Sequence, residues 1–129
     1  MKSVFILKRI VKSSEIDTLN HVNNVVYVKW MEQVAIAHWA ELTKGDPLPN
    51  YVWVVIRHEI DYFKQALLGD EITIKTWVGE TQGFKSERHI EFYKKETLLV
   101  KVKTIWAMLG AKTFKPTRIT ENVLKVLQA

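Results

Sequence analysis

The sequence predicts an α+β fold, in which an antiparallel sheet of about five strands wraps around one long central helix. The first observation is an unbroken helical pattern from about Asn24 to Leu42, apolar over most of its circumference. The second is a change to a period of two that begins at Tyr51 and continues to Met108. The third is a further alternating segment ahead of the helix. A length of 129 residues fits one domain, and we expect residues 1–129 to form it.

The predicted helix carries two neighbouring apolar stripes at a spacing of 100° per residue. The first comprises Tyr27, Trp30, Met31, Val34 and His38, and the second comprises Val25, Val28, Ala35 and Trp39. A helix of this kind is expected to be buried. Glu32 falls inside the second stripe, where a carboxylate is costly unless it is paired or protonated. We therefore interpret Glu32 either as a buried ion-pair or hydrogen-bond partner or as a second acid beside a substrate pocket.

The other elements follow from alternation and from turn residues. Ser3 to Val11 is predicted to be a strand, and Ile119 to Leu127 a short terminal helix with Thr120 as a possible N-cap. After Tyr51 we expect the even-numbered residues to face the core: Val52, Val54, Ile56, His58, Ile60 and Tyr62. Turns are predicted at Gly69-Asp70, from Gly79 to Gly83, and at residues 94–97. The four strands after the helix would then form a meander that encloses it.

Composition narrows the range of functions. The chain has no cysteine, which removes disulfides, thiolate metal sites and cysteine nucleophiles, and fits a reducing compartment. No apolar run approaches the roughly 20 residues needed to cross a bilayer, and residues 1–11 do not read as a signal peptide. We therefore expect a cytoplasmic protein without a membrane partner. The net charge of +5 comes from dispersed basic residues, which argues against nucleic acid and permits an anionic ligand.

The richest chemistry lies where the long helix begins. Asp17, His21, Asn23 and Asn24 fall within eight residues. A helix N-terminus carries unpaired N–H groups and a partial positive charge, so it can polarise a carbonyl. Asn23 or Asn24 is a plausible N-cap. A carboxylate beside that end could act as nucleophile or general base, and no His or Asp spacing suggests a metal site.

These residues resemble a known family. Asp17, then His21-Val22-Asn23-Asn24, then Tyr27 and Trp30-Met31-Glu32 is similar to the hotdog-fold acyl-CoA thioesterases of the 4-hydroxybenzoyl-CoA thioesterase type, and the His-Val-Asn-Asn sequence also resembles acyl-ACP thioesterases. Asp61-Tyr62-Phe63, Gly69-Asp70-Glu71-Ile72 and 115–119 extend the likeness over essentially the whole chain. The resemblance implies that Asp17 is the catalytic carboxylate. It also implies that the backbone N–H of Asn24 binds the thioester carbonyl.

Two departures from the family pattern shape the interpretation. Acyl-ACP thioesterases carry an Asn two residues before the motif His, where this chain has Leu19, so an Asp-centred scheme is favoured over an Asn–His pair. The basic residues that hold coenzyme A phosphates before the fourth strand are replaced by Thr81-Gln82-Gly83, with Lys85 and Arg88 following. The thiol portion is therefore either coenzyme A or a phosphopantetheine carrier protein, and solvated Lys85 and Arg88 are the candidates to meet phosphates.

The sequence thus predicts an acyl thioester hydrolase that needs no cofactor beyond the coenzyme A of its substrate. Asp17, Asn24 and His21 are the catalytic candidates, and the predicted substrate-binding residues are Asn23, Tyr27, Glu32, His58, Lys85 and Arg88. An exposed sheet edge is a liability, so we expect a homodimer, or a homotetramer, with sheets paired edge to edge. A hotdog hydratase or dehydratase and a non-catalytic acyl-binding module are the alternatives.

Overall fold

The computed structural model describes residues 3–129 and contains one five-stranded antiparallel sheet and two α-helices. The sheet order is β1-β3-β4-β5-β2. The elements in chain order are β1 (Phe5–Ile10), a 3₁₀ turn (Ser13–Glu15), α1 (Asn24–Thr43), β2 (Tyr51–Tyr62), β3 (Glu71–Gln82), β4 (Lys85–Lys94), β5 (Thr97–Gly110) and α2 (Glu121–Leu127). This confirms the predicted α+β fold. Within the described range no helix is long and apolar enough to cross a membrane, and residues 1 and 2, which precede the predicted first strand, lie outside that range.

The predicted four-strand meander is wrong in one connection. Only β3, β4 and β5 follow one another as hairpins, whereas β2 pairs with β5 at the far edge of the sheet. The link between β2 and β3 spans residues 63–70 and is too long for a tight hairpin turn. That link carries the chain past the beginning of α1 to the other side of the sheet. Alternation along the strands holds no information on this crossing.

The predicted even-numbered core face of β2 is also wrong over its first half. A register shift between Val55 and Arg57 marks a β-bulge, and a bulge exchanges the two faces of a strand. Before the bulge Trp53 and Val55 are part-buried, whereas Val54 is 38% and Ile56 49% exposed. After it, His58 and Ile60 turn inward as predicted. The N-terminal half of β2, which is an edge strand, therefore presents the aliphatic side chains of Val54 and Ile56 to solvent.

Helix α1 buries one stripe on the sheet and leaves another open. The buried residues are Tyr27, Trp30, Met31, Val34, Ala35 and His38, which include the whole first predicted stripe. Val25 is 73% and Ile36 66% exposed, so the helix is not enclosed on all sides within this chain. Glu32 lies on this open side and is exposed, which corrects the expectation of a buried acid. Of the second predicted stripe, Ala35 is buried and Val28 and Trp39 are part-buried, so the prediction fails only at Val25, which nothing in this chain covers.

Smaller boundaries also differ from prediction. Strand β3 continues through the predicted turn at Gly79 as far as Gln82, and the tight turn lies at Gly83, whose φ of 66° favours glycine. Gly79 lies at a β-bulge between Val78 and Thr81, and a glycine inside a strand often marks a bulge and not a turn. The 94–97 hairpin is confirmed. Thr120 occupies the N-cap position of α2, although its side chain makes no capping hydrogen bond.

Candidate active site

The loop between β1 and α1 is held against the start of the helix by backbone hydrogen bonds. The Val22 N–H donates to the Ala66 carbonyl at 3.0 Å, and the Asn23 N–H donates to the Glu15 carbonyl at 3.0 Å. Isolated bridges pair Ile16 with Val22 and His21 with Leu67. Residues 15–23 therefore form a compact hairpin-like loop with a fixed position beside the first turn of α1.

Asp17 lies in this loop, and only one of its two carboxylate oxygens accepts hydrogen bonds from the loop. Its Oδ1 accepts the Leu19 N–H at 2.9 Å and the His21 N–H at 3.3 Å, an Asx-turn arrangement. Within residues 3–129, Oδ2 accepts no hydrogen bond, and the residue is half-buried rather than turned into bulk water. The loop thus orients the carboxylate through one oxygen and leaves the second free to meet a substrate or a water molecule.

His21 contributes to the position of Asp17 through its backbone. The Asp17 N–H donates to the His21 carbonyl at 2.8 Å, and Asn20 turns the chain between them with a positive φ of 63°. The imidazole itself, which is half-buried, makes no hydrogen bond to any residue from 3 to 129. The ring is therefore available to a ligand, and it does not orient the Asp17 carboxylate directly.

The first turn of α1 presents one unsatisfied donor. Asn23 is confirmed as the N-cap, with its Oδ1 accepting the Val25 N–H at 3.0 Å, and the Val26 N–H donates to the Asn23 carbonyl at 2.8 Å. The Asn24 N–H makes no hydrogen bond within the described chain. A free N–H at the positive end of a 20-residue helix suits the binding of a polarised oxygen. The Asn23 side chain is already occupied by capping.

Tyr27 lies in the core directly after the first residues of α1. It is fully buried, and its hydroxyl accepts the Ala66 N–H at 3.3 Å, which ties the 63–70 link to the helix. Burial raises the pKa of the phenol. The predicted substrate-binding residue therefore lies in the core, packed edge to face on Trp30, Phe92 and Tyr62.

Two further predicted residues are Glu32, in the middle of α1, and His58, on the facing strand β2. His58 on β2 is half-buried, with Nδ1 at 2.8 Å from the Thr104 hydroxyl. Burial lowers the pKa of His58, and the charge of Glu32 partly opposes that shift. Glu32 is thus close enough to act on His58 electrostatically, although no hydrogen bond joins them. The two residues form a polar pair on the open side of the helix.

A partly open cavity of about 420 Å³ lies between the second half of α1 and the sheet. It is lined mainly by apolar side chains, with Glu32 and Ile36 on the helix side. The lining on the other sides comprises Ala35, Trp39, Trp53, Val55, Val78, Ser86, Glu87, Arg88, Trp106 and Leu127. Its size and apolar character are those of a small-molecule or acyl pocket.

Arg88 is part of this cavity, which corrects its interpretation as a solvated surface charge. It is only 6% exposed because even-numbered residues of β4 face the core. Lys85, by contrast, is exposed at the start of β4, with its ammonium over the Phe84 ring. Both residues lie towards the end of β4 that is remote from the beginning of α1, since His38 in the last part of the helix contacts Arg88. The structure does not bring them together with Asp17 in one chain.

The two tryptophans of the cavity were not among the predicted site residues. Trp53 Nε1 and Trp106 Nε1 are both buried and lack a hydrogen-bond partner in the described chain. A buried indole N–H normally has a partner, so these two donors are exceptions among the described residues. The sequence signal was weak, because only the bulge in β2 turns Trp53 inward. Among residues 3–129, no group of three or more His, Asp and Glu side chains could hold a metal ion.

A long helix lying on a five-stranded antiparallel sheet of this order is the hotdog architecture. The family model of the thioesterase superfamily matches residues 19–101, a range that includes His21, Asn23 and Asn24 and begins just after Asp17. The chain belongs to the thioesterase superfamily, and acyl thioester hydrolysis is the general chemistry that this membership supports.

Solved structures of other proteins have the same fold as this chain. A predicted thioesterase of Bacillus stearothermophilus superimposes with a TM-score of 0.87 at 21% identity, over 97% of this chain and 94% of that one. A 1,4-dihydroxy-2-naphthoyl-CoA thioesterase of Synechocystis gives 0.81 at 14% identity, over 97% and 96%. The chloroplastic acyl-[acyl-carrier-protein] hydrolase FATB3 of Cuphea viscosissima is 28% identical over 76 residues, which are 57% of this chain and 18% of that protein. The chain therefore spans under a fifth of the length of this curated relative.

Proposed function

We propose that this protein hydrolyses an acyl thioester to a free acid and a thiol, with Asp17 and the Asn24 N–H as its catalytic groups. One observation carries the proposal. A carboxylate with a free oxygen is held in a loop that is hydrogen-bonded to the first turn of α1, where the Asn24 N–H is unpaired. Thioester hydrolysis needs a negative oxygen to attack or to activate water, and a donor to stabilise the charge that develops on the carbonyl oxygen.

Two routes fit this pair of groups. In the first, Asp17 Oδ2 attacks the thioester carbon, the thiolate leaves, and water hydrolyses the resulting anhydride. In the second, Oδ2 removes a proton from a water molecule that attacks the same carbon, and the thiol leaves with a proton. In both, the Asn24 N–H donates to the oxygen as it becomes negative. The imidazole of His21, which makes no hydrogen bond within residues 3–129, is proposed to contact the substrate.

The thiol portion of the substrate is proposed to be coenzyme A or the phosphopantetheine arm of a carrier protein. The relatives carry both names: a naphthoyl-CoA thioesterase in Synechocystis and an acyl-carrier-protein hydrolase in Cuphea viscosissima. Exposed Lys85 is a candidate for phosphate contact. The acyl group would lie against the open side of α1 near Glu32 and His58, and enter the apolar cavity.

We further propose a homodimer that pairs the β2 edges of two chains. Strand β2 is an unpaired edge with exposed Val54 and Ile56, and Val25 and Ile36 are exposed on the same open side as Glu32. A two-fold axis perpendicular to the sheet makes the paired edge strands antiparallel. The end of β2 near the α1 N-terminus would then adjoin the partner's Trp53 end. Asp17 of one chain would approach the cavity of the other, which accounts for the separation of Asp17 from Arg88 within one chain.

A thiol-trapping assay with a panel of acyl-CoA and acyl-carrier-protein thioesters tests the proposal. Asp17→Asn is expected to lower turnover at least about a thousandfold while leaving the fold intact, because the amide retains the loop hydrogen bonds and loses the charge. Asp46→Asn is the matched control, since Asp46 Oδ1 makes the same kind of Asx turn, to Leu48 N–H, in an exposed loop. Near-wild-type turnover in Asp17→Asn would remove Asp17 from the mechanism. Binding without thiol release by the wild type would favour an acyl-binding module.

A further inference from the structure

The cavity beside α1 holds a buried positive charge that has no negative partner among the described residues. Arg88 is 6% exposed, and the ion pairs of the described residues do not include it. Burial of a guanidinium away from water is costly unless an anion or several acceptors compensate it. A buried guanidinium that lines a cavity and has no carboxylate partner is therefore suited to bind an anionic ligand.

The two contacts that Arg88 makes are to neutral groups. Its Nη1 donates to the Thr76 hydroxyl at 3.0 Å and to His38 Nδ1 at 2.8 Å. Arginine only donates, so Nδ1 of His38 must be the unprotonated ring nitrogen. The other two guanidinium nitrogens, Nε and Nη2, make no hydrogen bond within residues 3–129. His38 and Thr76 thus hold the guanidinium in place and leave one side of its fork unused.

Two carboxylates also line the cavity, and neither pairs with Arg88. The oxygens of Glu87 lie 3.4 Å from Lys103 Nζ and 3.6 Å from His89 Nε2. Glu32 is exposed on the helix side of the cavity, forms no ion pair with Arg88 within residues 3–129, and acts electrostatically on His58. Neither carboxylate occupies the Arg88 fork.

The walls around Arg88 are mainly apolar. Trp53 and Trp106 contribute to the lining, but their indole nitrogens are themselves buried and do not face the open space. The free part of the Arg88 guanidinium is therefore the cationic donor that the cavity offers to a ligand. A guanidinium fork matches a planar group with two acceptor oxygens, and a carboxylate fits it in a bidentate manner.

We propose that this cavity binds a carboxylate carried on an apolar body, with Arg88 as its anchor. The inference rests on the proposed thioesterase function and names its substrate class. The carboxylate is either the distal end of the acyl group in an ω-carboxyacyl thioester or the free acid that hydrolysis releases. A purely aliphatic acyl chain would leave the free guanidinium nitrogens of Arg88 without an acceptor, which selects against it.

The test compares acyl-CoA substrates of equal length with and without a terminal carboxylate, such as suberyl-CoA and octanoyl-CoA. The wild type is expected to favour suberyl-CoA in kcat/KM, and Arg88→Gln is expected to lower the suberyl-to-octanoyl ratio by about tenfold to a hundredfold. Arg88→Lys keeps the positive charge and loses the bidentate fork, and is expected to lower the ratio by a few-fold. This variant keeps the test valid if Arg88→Gln does not fold. An unchanged ratio in both variants would overturn the proposal for the acyl end.

A binding arm separates this inference from the proposed function. Calorimetric titration of the wild type and Arg88→Gln with octanoate, suberate and the uncharged octanol needs no turnover. Arg88-dependent binding of octanoate together with an unchanged suberyl-to-octanoyl ratio would assign the cavity to the free acid. Arg88-dependent binding in a protein that releases no thiol from any thioester would sustain the carboxylate site and reject the hydrolase. If octanoate and suberate bind no better than octanol, the carboxylate site is rejected while any hydrolysis stands.

Discussion

Glu15 accepts the indole N–H of Trp30 at 3.2 Å and thereby joins the Asp17 loop to the buried face of α1. The second oxygen of the same carboxylate accepts the Lys12 N–H at 2.8 Å. The Glu15 carbonyl accepts the N–H of the N-cap residue Asn23. One residue thus fixes the two ends of the loop that carries the candidate catalytic carboxylate, and the Arg9 guanidinium lies over the Trp30 ring beside it.

Substitution of Glu15 should therefore affect both stability and activity. Glu15→Ala leaves the Trp30 and Lys12 donors unpaired and is expected to cost about 2–3 kcal/mol of unfolding free energy. Glu15→Gln retains one acceptor oxygen and should cost about 1 kcal/mol. Chemical denaturation measures both, and thioester turnover should fall in the same order because the Asp17 loop loosens. Glu41→Ala, at an exposed helix position, is the control. Equal stability of Glu15→Ala and the control would contradict this role.

The sequence was sufficient to predict most helices and strands and the N-cap residue at the beginning of α1. The 3.6-residue period placed α1, and Asn23 was recognisable as a cap because the helical pattern begins directly after it. Alternation in the sequence also puts Ser86, Arg88, Ile90 and Phe92 on one face, and this is the buried face of β4 in the structure. The burial of Arg88 was nevertheless missed, because a charged residue is normally assigned to solvent. The available signal in the sequence was that a charged residue, Arg88, occupies a position that alternation assigns to the same face as Ile90 and Phe92.

The remaining features depend on non-local structure. The bulge at Val55 in β2 reverses the faces of the strand, and neither glycine nor proline marks it. The pairing of β2 with β5 is set by the path of the 63–70 link, to which alternation is blind. The open side of α1 was predicted to be buried, since the sequence records an apolar face and not whether the same chain covers it.

Tyr27 provides a test of the core beneath the site. Tyr27→Phe removes the acceptor for the Ala66 N–H and leaves a buried donor unpaired, so it should cost about 1–2 kcal/mol. Tyr27→Ala should cost about 3–5 kcal/mol, because it also leaves a cavity against Trp30 and Phe92. Denaturant unfolding of the two variants gives both values. A Tyr27→Phe protein as stable as the wild type would show that the Ala66 contact contributes nothing.

The exposed edge of β2 provides a test of assembly. Ile56→Glu adds a charge to the edge proposed to pair in the dimer, and is expected to shift the protein to the monomer and to lower turnover. Ile6→Glu is a matched control on the opposite edge strand, since Ile6 is 50% and Ile56 49% exposed. Sedimentation or light scattering measures the mass. Dissociation by Ile6→Glu alone, or a wild type that is already monomeric, would contradict β2 pairing.

The His38–Arg88 contact predicts a pH dependence of stability. Burial, assisted by the Arg88 charge, lowers the pKa of His38 from 6.5 to about 4. The unfolded chain therefore binds a proton between pH 6.5 and about 4 that native His38 does not, so the stability contribution is complete above pH 6.5 and is lost as the pH falls towards 4. The loss attributable to His38 is at most about 3 kcal/mol. His38→Gln keeps a carbonyl oxygen for Arg88 and cannot titrate. Unfolding free energies measured at several pH values should thus fall less steeply for His38→Gln than for the wild type, and parallel curves would exclude His38 as the source.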